Sequence, residues 1–132
     1  MSVSKLSTWG ALLVEHLRDS AISEGNMALA ADSTSVLAKR WREVPGYGPE
    51  MAAAIADIVD DTVMTLLLGL DEGTLKLRWK AESGEVIDLT KDGEGLRRRY
   101  LGPTGWRATY SKEQISEADG DVATYFLSLI HI

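Results

Sequence analysis

The stretch PEMAAAIADIVDDTVMTLLLGLDEGTLKLRWK, residues 49–80, changes its apolar period midway. Over its first part, Met51, Ile55, Ile58, Val59, Thr62, Val63, Leu66, Leu67 and Leu70 recur at intervals of three and four, the stripe of a core-facing helix. Pro49 and Glu50 suit its first turn, where a missing N–H costs nothing and an acid faces the positive end of the helix dipole. Gly69 or Gly73 supplies its stop. From Thr74 to Lys80 the period falls to two. Leu75, Leu77 and Trp79 alternate with Lys76, Arg78 and Lys80, which predicts a half-buried strand with a basic outer face. A helix handing over to a strand implies an α+β domain whose sheet rests on that helix.

Outward from this segment the pattern extends in both directions. Upstream, Trp9, Leu12, Leu13, His16 and Leu17 predict a first helix that starts at Ser7 or Thr8 and stops at Gly25. A second helical stretch covers Asn26 to Glu43, with Asp32-Ser33-Thr34-Ser35 as a candidate break into two pieces, because such side chains compete for backbone groups and favour caps. Val44 to Pro49 is a Pro/Gly loop. Downstream, Glu82-Ser83-Gly84 predicts a turn into a returning strand, Val86 to Thr90, with Ile87 and Leu89 inward. Glu94 to Leu101 reads as a short helix. Gly105 to Tyr110 reads as a third strand with Trp106, Ala108 and Tyr110 on one face. Residues 119–130 fit either an amphipathic helix or a strand. The expectation is one α+β domain over residues 1–132: three main N-terminal helices packed on one face of a small three-stranded antiparallel sheet, a short helix before the last strand, and a C-terminal amphipathic helix or strand.

Composition sets outer bounds. The chain of 132 residues is 45% hydrophobic and 26% charged, as globular domains are. It has no cysteine, which removes disulfides, thiolate metal sites and thiol nucleophiles together. The N-terminal apolar run is broken by Glu15, His16, Arg18 and Asp19, and no apolar run approaches the ~20 residues of a membrane span. The expectation is a cytoplasmic protein with no membrane anchor. The net charge of −6 disfavours nucleic acid as a partner. That charge is unevenly spread. Residues 1–75 carry 5 basic and 11 acidic side chains, residues 76–112 carry 9 and 5, and residues 113–132 carry 4 acidic and none basic.

Several constellations invite a chemical reading, each beside a plainer one. Asp57, Asp60 and Asp61 share a helical face and suit either Mg²⁺ or solvation. Lys76, Arg78, Lys80 and Arg107 form a basic sheet face that suits an acidic protein or an anion, or else cross-strand salt bridges to Glu85, Asp88 or Asp92. Edge lysines also discourage unwanted strand pairing. Trp9, Trp41, Trp79 and Trp106 fall on apolar faces and suit core packing or an aromatic pocket. Tyr47, on the Pro/Gly loop, is the best exposed aromatic. No Gly-x-Ser-x-Gly elbow, phosphate-cradling loop or placed histidine marks a catalytic centre.

These readings predict a non-catalytic binding protein: an adaptor, or an immunity-like neutraliser that masks a basic partner such as a toxin nuclease. Its binding candidates are Lys76, Arg78, Lys80, Arg107, Tyr47, Trp79 and Trp106, with no cofactor and no metal. The competing expectation is a small-molecule or nucleotide site between helices and sheet, lined by Trp41, Trp79 and Trp106 and dependent on Mg²⁺. A homo-oligomer joined through residues 125–130 is a third.

Overall fold

A computed structural model describes residues 2–113. The expected C-terminal helix or strand, and the oligomer contact at residues 125–130, lie outside the described residues. The elements are α1 (Ser2–Leu12), a π-helical segment (Leu13–Arg18), α2 (Asp19–Leu29), α3 (Val36–Arg42), α4 (Met51–Glu72), β1 (Arg78–Lys80), β2 (Val86–Asp88), α5 (Leu96–Tyr100) and α6 (Trp106–Tyr110). The class is α+β, as the change of period implies. Among the described residues no helix is long and apolar enough to cross a membrane.

The first helix differs from its expectation in length and in register. It runs from Ser2 through the π segment to Leu29, well past Gly25. Leu6 is buried in the core, so packing extends the helix upstream of Ser7 and Thr8. Gly25 is not a stop but a point of close approach: a Cβ there would lie 2.7 Å from Ile55 Cγ2 on α4. The π segment widens one turn of the helix and so shifts its buried stripe by one residue. Leu13 and Val14 are buried before the shift; Arg18, Asp19 and Ile22 are buried after it. Leu17, expected inside, is 49% exposed. Without that inserted residue Arg18 would point to water.

The break at residues 32–35 occurs as expected, and Ser35 caps α3 by accepting a hydrogen bond from the Ala38 N–H at 3.0 Å. Arg42 folds back to donate to the carbonyls of Ala30, Ala31 and Ser33, which closes the connection. α4 ends at Gly73, whose φ of 78° only glycine adopts without strain.

The three-stranded sheet is a misreading. Among the described residues the sheet has two antiparallel strands in the register Arg78↔Asp88, Trp79↔Ile87 and Lys80↔Val86. Residues 106–110 form α6 instead of a third strand. Five residues are too few for an alternation to exclude a helix. The deciding fact is that adjacent Trp106 and Arg107 are both buried, with Tyr110 half-buried one turn on, which one face of a strand does not permit. Leu75 and Leu77, expected inside, are 43% and 45% exposed, and Trp79 is half-buried. The reason is that the β2 side of the hairpin supplies its buried residues, with Ile87 and Leu89 joining Leu67, Leu70, Leu96 and Tyr100 and β2 packing beside α1, while on the β1 side Trp79 alone packs against the core.

The core gathers Leu6, Leu13 and Val14 from the first helix, Val63, Met64, Leu67 and Leu70 from α4, and Trp106 from α6. Trp9 meets Trp106 edge to face, with centroids 5.8 Å apart. Gly10 lies directly under the Trp106 indole. Helix propensity alone favours alanine at position 10 by about 1 kcal/mol. Overpacking against the indole costs about 1–3 kcal/mol and wins. Urea unfolding of Gly10→Ala is therefore expected to show lower stability than the wild type; equal or higher stability contradicts this packing.

Candidate functional site

Asp60, in the middle of α4, is only 4% exposed. It is not part of a solvated acidic face, because four donors converge on its carboxylate. Oδ1 accepts from Arg18 Nε at 2.7 Å and from the Tyr100 hydroxyl at 2.6 Å. Oδ2 accepts from Arg107 Nη1 at 2.9 Å and from Arg18 Nη2 at 3.3 Å. The acceptor sites of an ionised carboxylate are thereby filled. Arg18 also donates to Asp19 Oδ1 at 3.0 Å and to Ser111 Oγ at 2.7 Å, and Asp19 Oδ2 accepts the Lys112 N–H at 2.7 Å. The Arg107 guanidinium carbon lies 5.9 Å from the Tyr100 ring centroid. Two guanidinium groups face two carboxylates, so the buried group of charges is neutral as a whole.

The surroundings shift these groups in opposite senses. Burial alone lowers the Arg18 pKa, but the hydrogen bond and charge of Asp60 outweigh it, and the net shift is upward. Burial, reinforced by the adjacent Asp60 charge, raises the Tyr100 phenol far above its ordinary range. Tyr100 is therefore a hydrogen-bond donor locked in its neutral form. With its lone pairs and donors engaged internally, the cluster binds four segments of the chain to one another.

Asp57 and Asp61 remain exposed while Asp60 is taken by arginine, so the acidic trio does not converge. Among the described residues no group of three His, Asp or Glu side chains is placed to hold a metal.

Three surface features remain. The first is an apolar groove of about 390 Å³ between α2, α3 and α4, lined by Leu37, Trp41, Met51, Ile55, Ile58 and Val59. Ile58 is 65% exposed in it. Glu24 on α2 lies at its rim, and exposed Asp57 and Asp61 flank Ile58 on α4. The second is the hairpin. Lys76, Arg78 and Lys80 are exposed there, and Trp79 lines a cleft of about 440 Å³ with Lys5, Thr8, Leu12 and Ala81. The third is a polar cleft of about 510 Å³ bordered by Glu15, His16, Glu24, Lys112 and Glu113. Its mixture of charges selects no single ligand class.

The residues singled out from the sequence are thus dispersed. Lys76, Arg78 and Lys80 stay together on the hairpin. Arg107 is buried on Asp60 and does not join them, because its segment is helix. Trp41, Trp79 and Trp106 lie in the groove, in the hairpin cleft and in the core respectively, and do not line one pocket. Tyr47 is half-buried, and its hydroxyl donates to the Leu29 carbonyl at 3.1 Å, closing the end of α2. The groove was missed by sequence reasoning. Its signal was the breadth of the α4 stripe: Met51, Ile55, Ile58 and Val59 point to one side, and Val63, Met64, Leu67 and Leu70 to the core. Comparison with family models, curated proteins and solved structures returns no match for this chain.

Two outcomes follow from the Asp60 geometry. Asp60→Ala leaves two buried guanidinium groups short of a partner and is expected to cost about 3–5 kcal/mol in denaturant unfolding. A loss below about 1 kcal/mol would show that water reaches the cluster. Tyr100 has a folded pKa above its unfolded value of about 10. The stability it contributes is complete below that pH and is lost as pH rises past it. In a spectroscopic alkaline titration Tyr100 should ionise only as the chain unfolds, whereas Tyr100→Phe should remove that late phase.

Proposed function

We propose that this chain is a small non-catalytic binding protein, an adaptor or neutraliser, that receives the apolar face of a partner's helix between α2, α3 and α4. The observation that carries this reading is the groove. Met51, Ile55, Ile58 and Val59 on α4 repeat at the spacing of a helix-packing stripe, yet the described elements leave Ile58 65% exposed and the other three only half-buried. Such a stripe is the half-site of helix-in-groove recognition, in which a partner supplies anchors at i, i+3, i+4 and i+7. An uncovered large apolar residue such as Ile58 forgoes most of the ~1.5–3 kcal/mol that full burial provides, and a docked helix recovers it.

Charge narrows the partner. Residues 1–75, which contain every groove residue, carry 11 acidic and 5 basic side chains. Glu24, Asp57 and Asp61 border the groove or flank it. A helix with basic residues beside its apolar face therefore suits the site better than an acidic one, and steering by the acidic half speeds the encounter.

The test uses a synthetic amphipathic helix with leucine anchors and lysine flanks, titrated against the full chain while tryptophan fluorescence is followed in the wild type and in Trp41→Phe, whose difference isolates the Trp41 signal. Ile58→Asp alters an exposed side chain, so folding stability should change by no more than about 0.5 kcal/mol. Binding should weaken at least about tenfold, because a desolvated carboxylate opposes the apolar anchor. Equal affinity of wild type and Ile58→Asp, or no change at Trp41, rules the groove out.

A further inference from the structure

The hairpin carries an independent feature. Leu89 N–H donates to Leu77 C=O at 2.9 Å, and Ala81 N–H donates to Glu85 C=O at 2.8 Å. With Trp79 opposite Ile87, the alternation of an antiparallel ladder makes the pairs at 77, 79 and 81 the hydrogen-bonded ones. The N–H and C=O of Arg78 and Lys80 therefore point away from β2. Among the described residues no third strand receives them. The outer edge of β1 is thus an unfilled ladder among the described residues.

The side chains beside that ladder are equally unmatched. Lys76, Arg78 and Lys80 are exposed, and among the described residues none of them forms an ion pair. The acids that cross-strand pairing required close no ion pair with them, although Asp88, opposite Arg78 in the register, feels the Arg78 charge. Glu85 pairs with Lys5 on α1. Asp88 Oδ1 accepts the N–H groups of Thr90 and Lys91, each at 3.0 Å. Asp92 Oδ2 accepts the Asp88 N–H at 3.2 Å. On the opposite face of the hairpin, Leu77 is 45% exposed and Trp79 is half-buried beside the α1 cleft.

We propose that the outer edge of β1 takes an extended segment of a partner protein in which acidic residues alternate with apolar ones. The backbone of such a segment completes the open ladder at Arg78 and Lys80. Its period of two places every acid on the side of Lys76, Arg78 and Lys80, and every apolar residue beside Leu77 and Trp79. Charge selects this occupant over a second copy of the same edge, since like charges directly opposite each other repel. The lysines and arginine thereby bar self-pairing and admit an acidic strand. None of these residues belongs to the α2–α3–α4 groove, so the inference stands apart from the function proposed above.

The experiment uses the full chain and a synthetic peptide of alternating valine and glutamate, with a valine–lysine peptide as control. In the free protein the Arg78 and Lys80 amides should exchange rapidly with solvent. They should become protected when the glutamate peptide is added and stay unprotected with the lysine peptide. Reversing Lys76, Arg78 and Lys80 to glutamate should lower affinity for the glutamate peptide at least about tenfold. Lys80→Pro removes one outward N–H, leaves the bonds to β2 in place, and keeps proline at an edge position that tolerates it. It should bind roughly fivefold more weakly than Lys80→Ala, which loses the same charge but keeps the N–H, the difference being the effect of one lost hydrogen bond. Arg78→Pro against Arg78→Ala repeats the test at the other outward donor. If each proline variant binds as tightly as its alanine counterpart, attraction is by charge alone and strand addition is wrong. If the two amides are already protected in the free chain, the edge is filled by the chain itself or by a second copy, and the proposal is overturned.

Discussion

The carboxylate of Asp60 is the constraint on which the arrangement of this chain depends. An isolated ionised acid in the middle of a core helix costs several kcal/mol in lost hydration. That cost is offset only when its lone pairs are filled, and here the donors come from the π segment, α5 and α6. No two of those donors are adjacent in sequence. Each must be delivered by a separate element, so satisfying one carboxylate positions three segments against α4. A hydrophobic residue of equal volume at this position would not discriminate among alternative packings of short helices. The network contributes specificity of arrangement more than net stability.

The π segment belongs to the same constraint. A regular helix from Ser2 to Leu29 would bury the side of Leu17. The widened turn at Leu13–Arg18 buries Arg18 and Asp19 instead. Arg18 then reaches Asp60, and Asp19 accepts the Ser111 hydroxyl and the Lys112 N–H on the far side. α5 and α6 have five residues each, too few to be stable alone. Tyr100 and Arg107 tie them to α4, and Asp71 accepts the N–H groups of Leu96 and Arg97 at the start of α5. Once the interior is settled in this way, the groove side of α4 and the outer edge of β1 remain uncovered by any described element.

What was legible in the sequence followed from strong, local, long-range-independent patterns. The stripe from Met51 to Leu70 was long enough to identify α4 and nearly its ends. The run Asp32–Ser35 and the pair Gly69 or Gly73 bracketed their boundaries because capping chemistry is local, and the structure selects Ser35 and Gly73. The change of period at Thr74 located the hairpin, and Lys76, Arg78 and Lys80 do face water. The failures share a cause. Asp60, Arg18 and Arg107 look like surface residues in isolation, and only their mutual pairing makes burial tolerable. Arg107 was consequently assigned to a basic sheet face, and its segment to a strand. Leu75 and Leu77 alternate as inward residues should, but a two-stranded ribbon has too little surface beneath it to cover both strands. The groove was hidden in plain composition, because a stripe broader than one interface looks the same in sequence as a deeply buried helix.

The central claim is that Arg18 and Asp60 act as one unit inside the fold. A double-mutant cycle on unfolding free energy, built from Arg18→Met, Asp60→Asn and the pair together, measures that directly. Coupled burial predicts that the double variant loses less stability than the sum of the single losses, by more than about 1 kcal/mol, because removing both charges leaves neither stranded. Strict additivity of the two losses would contradict the account.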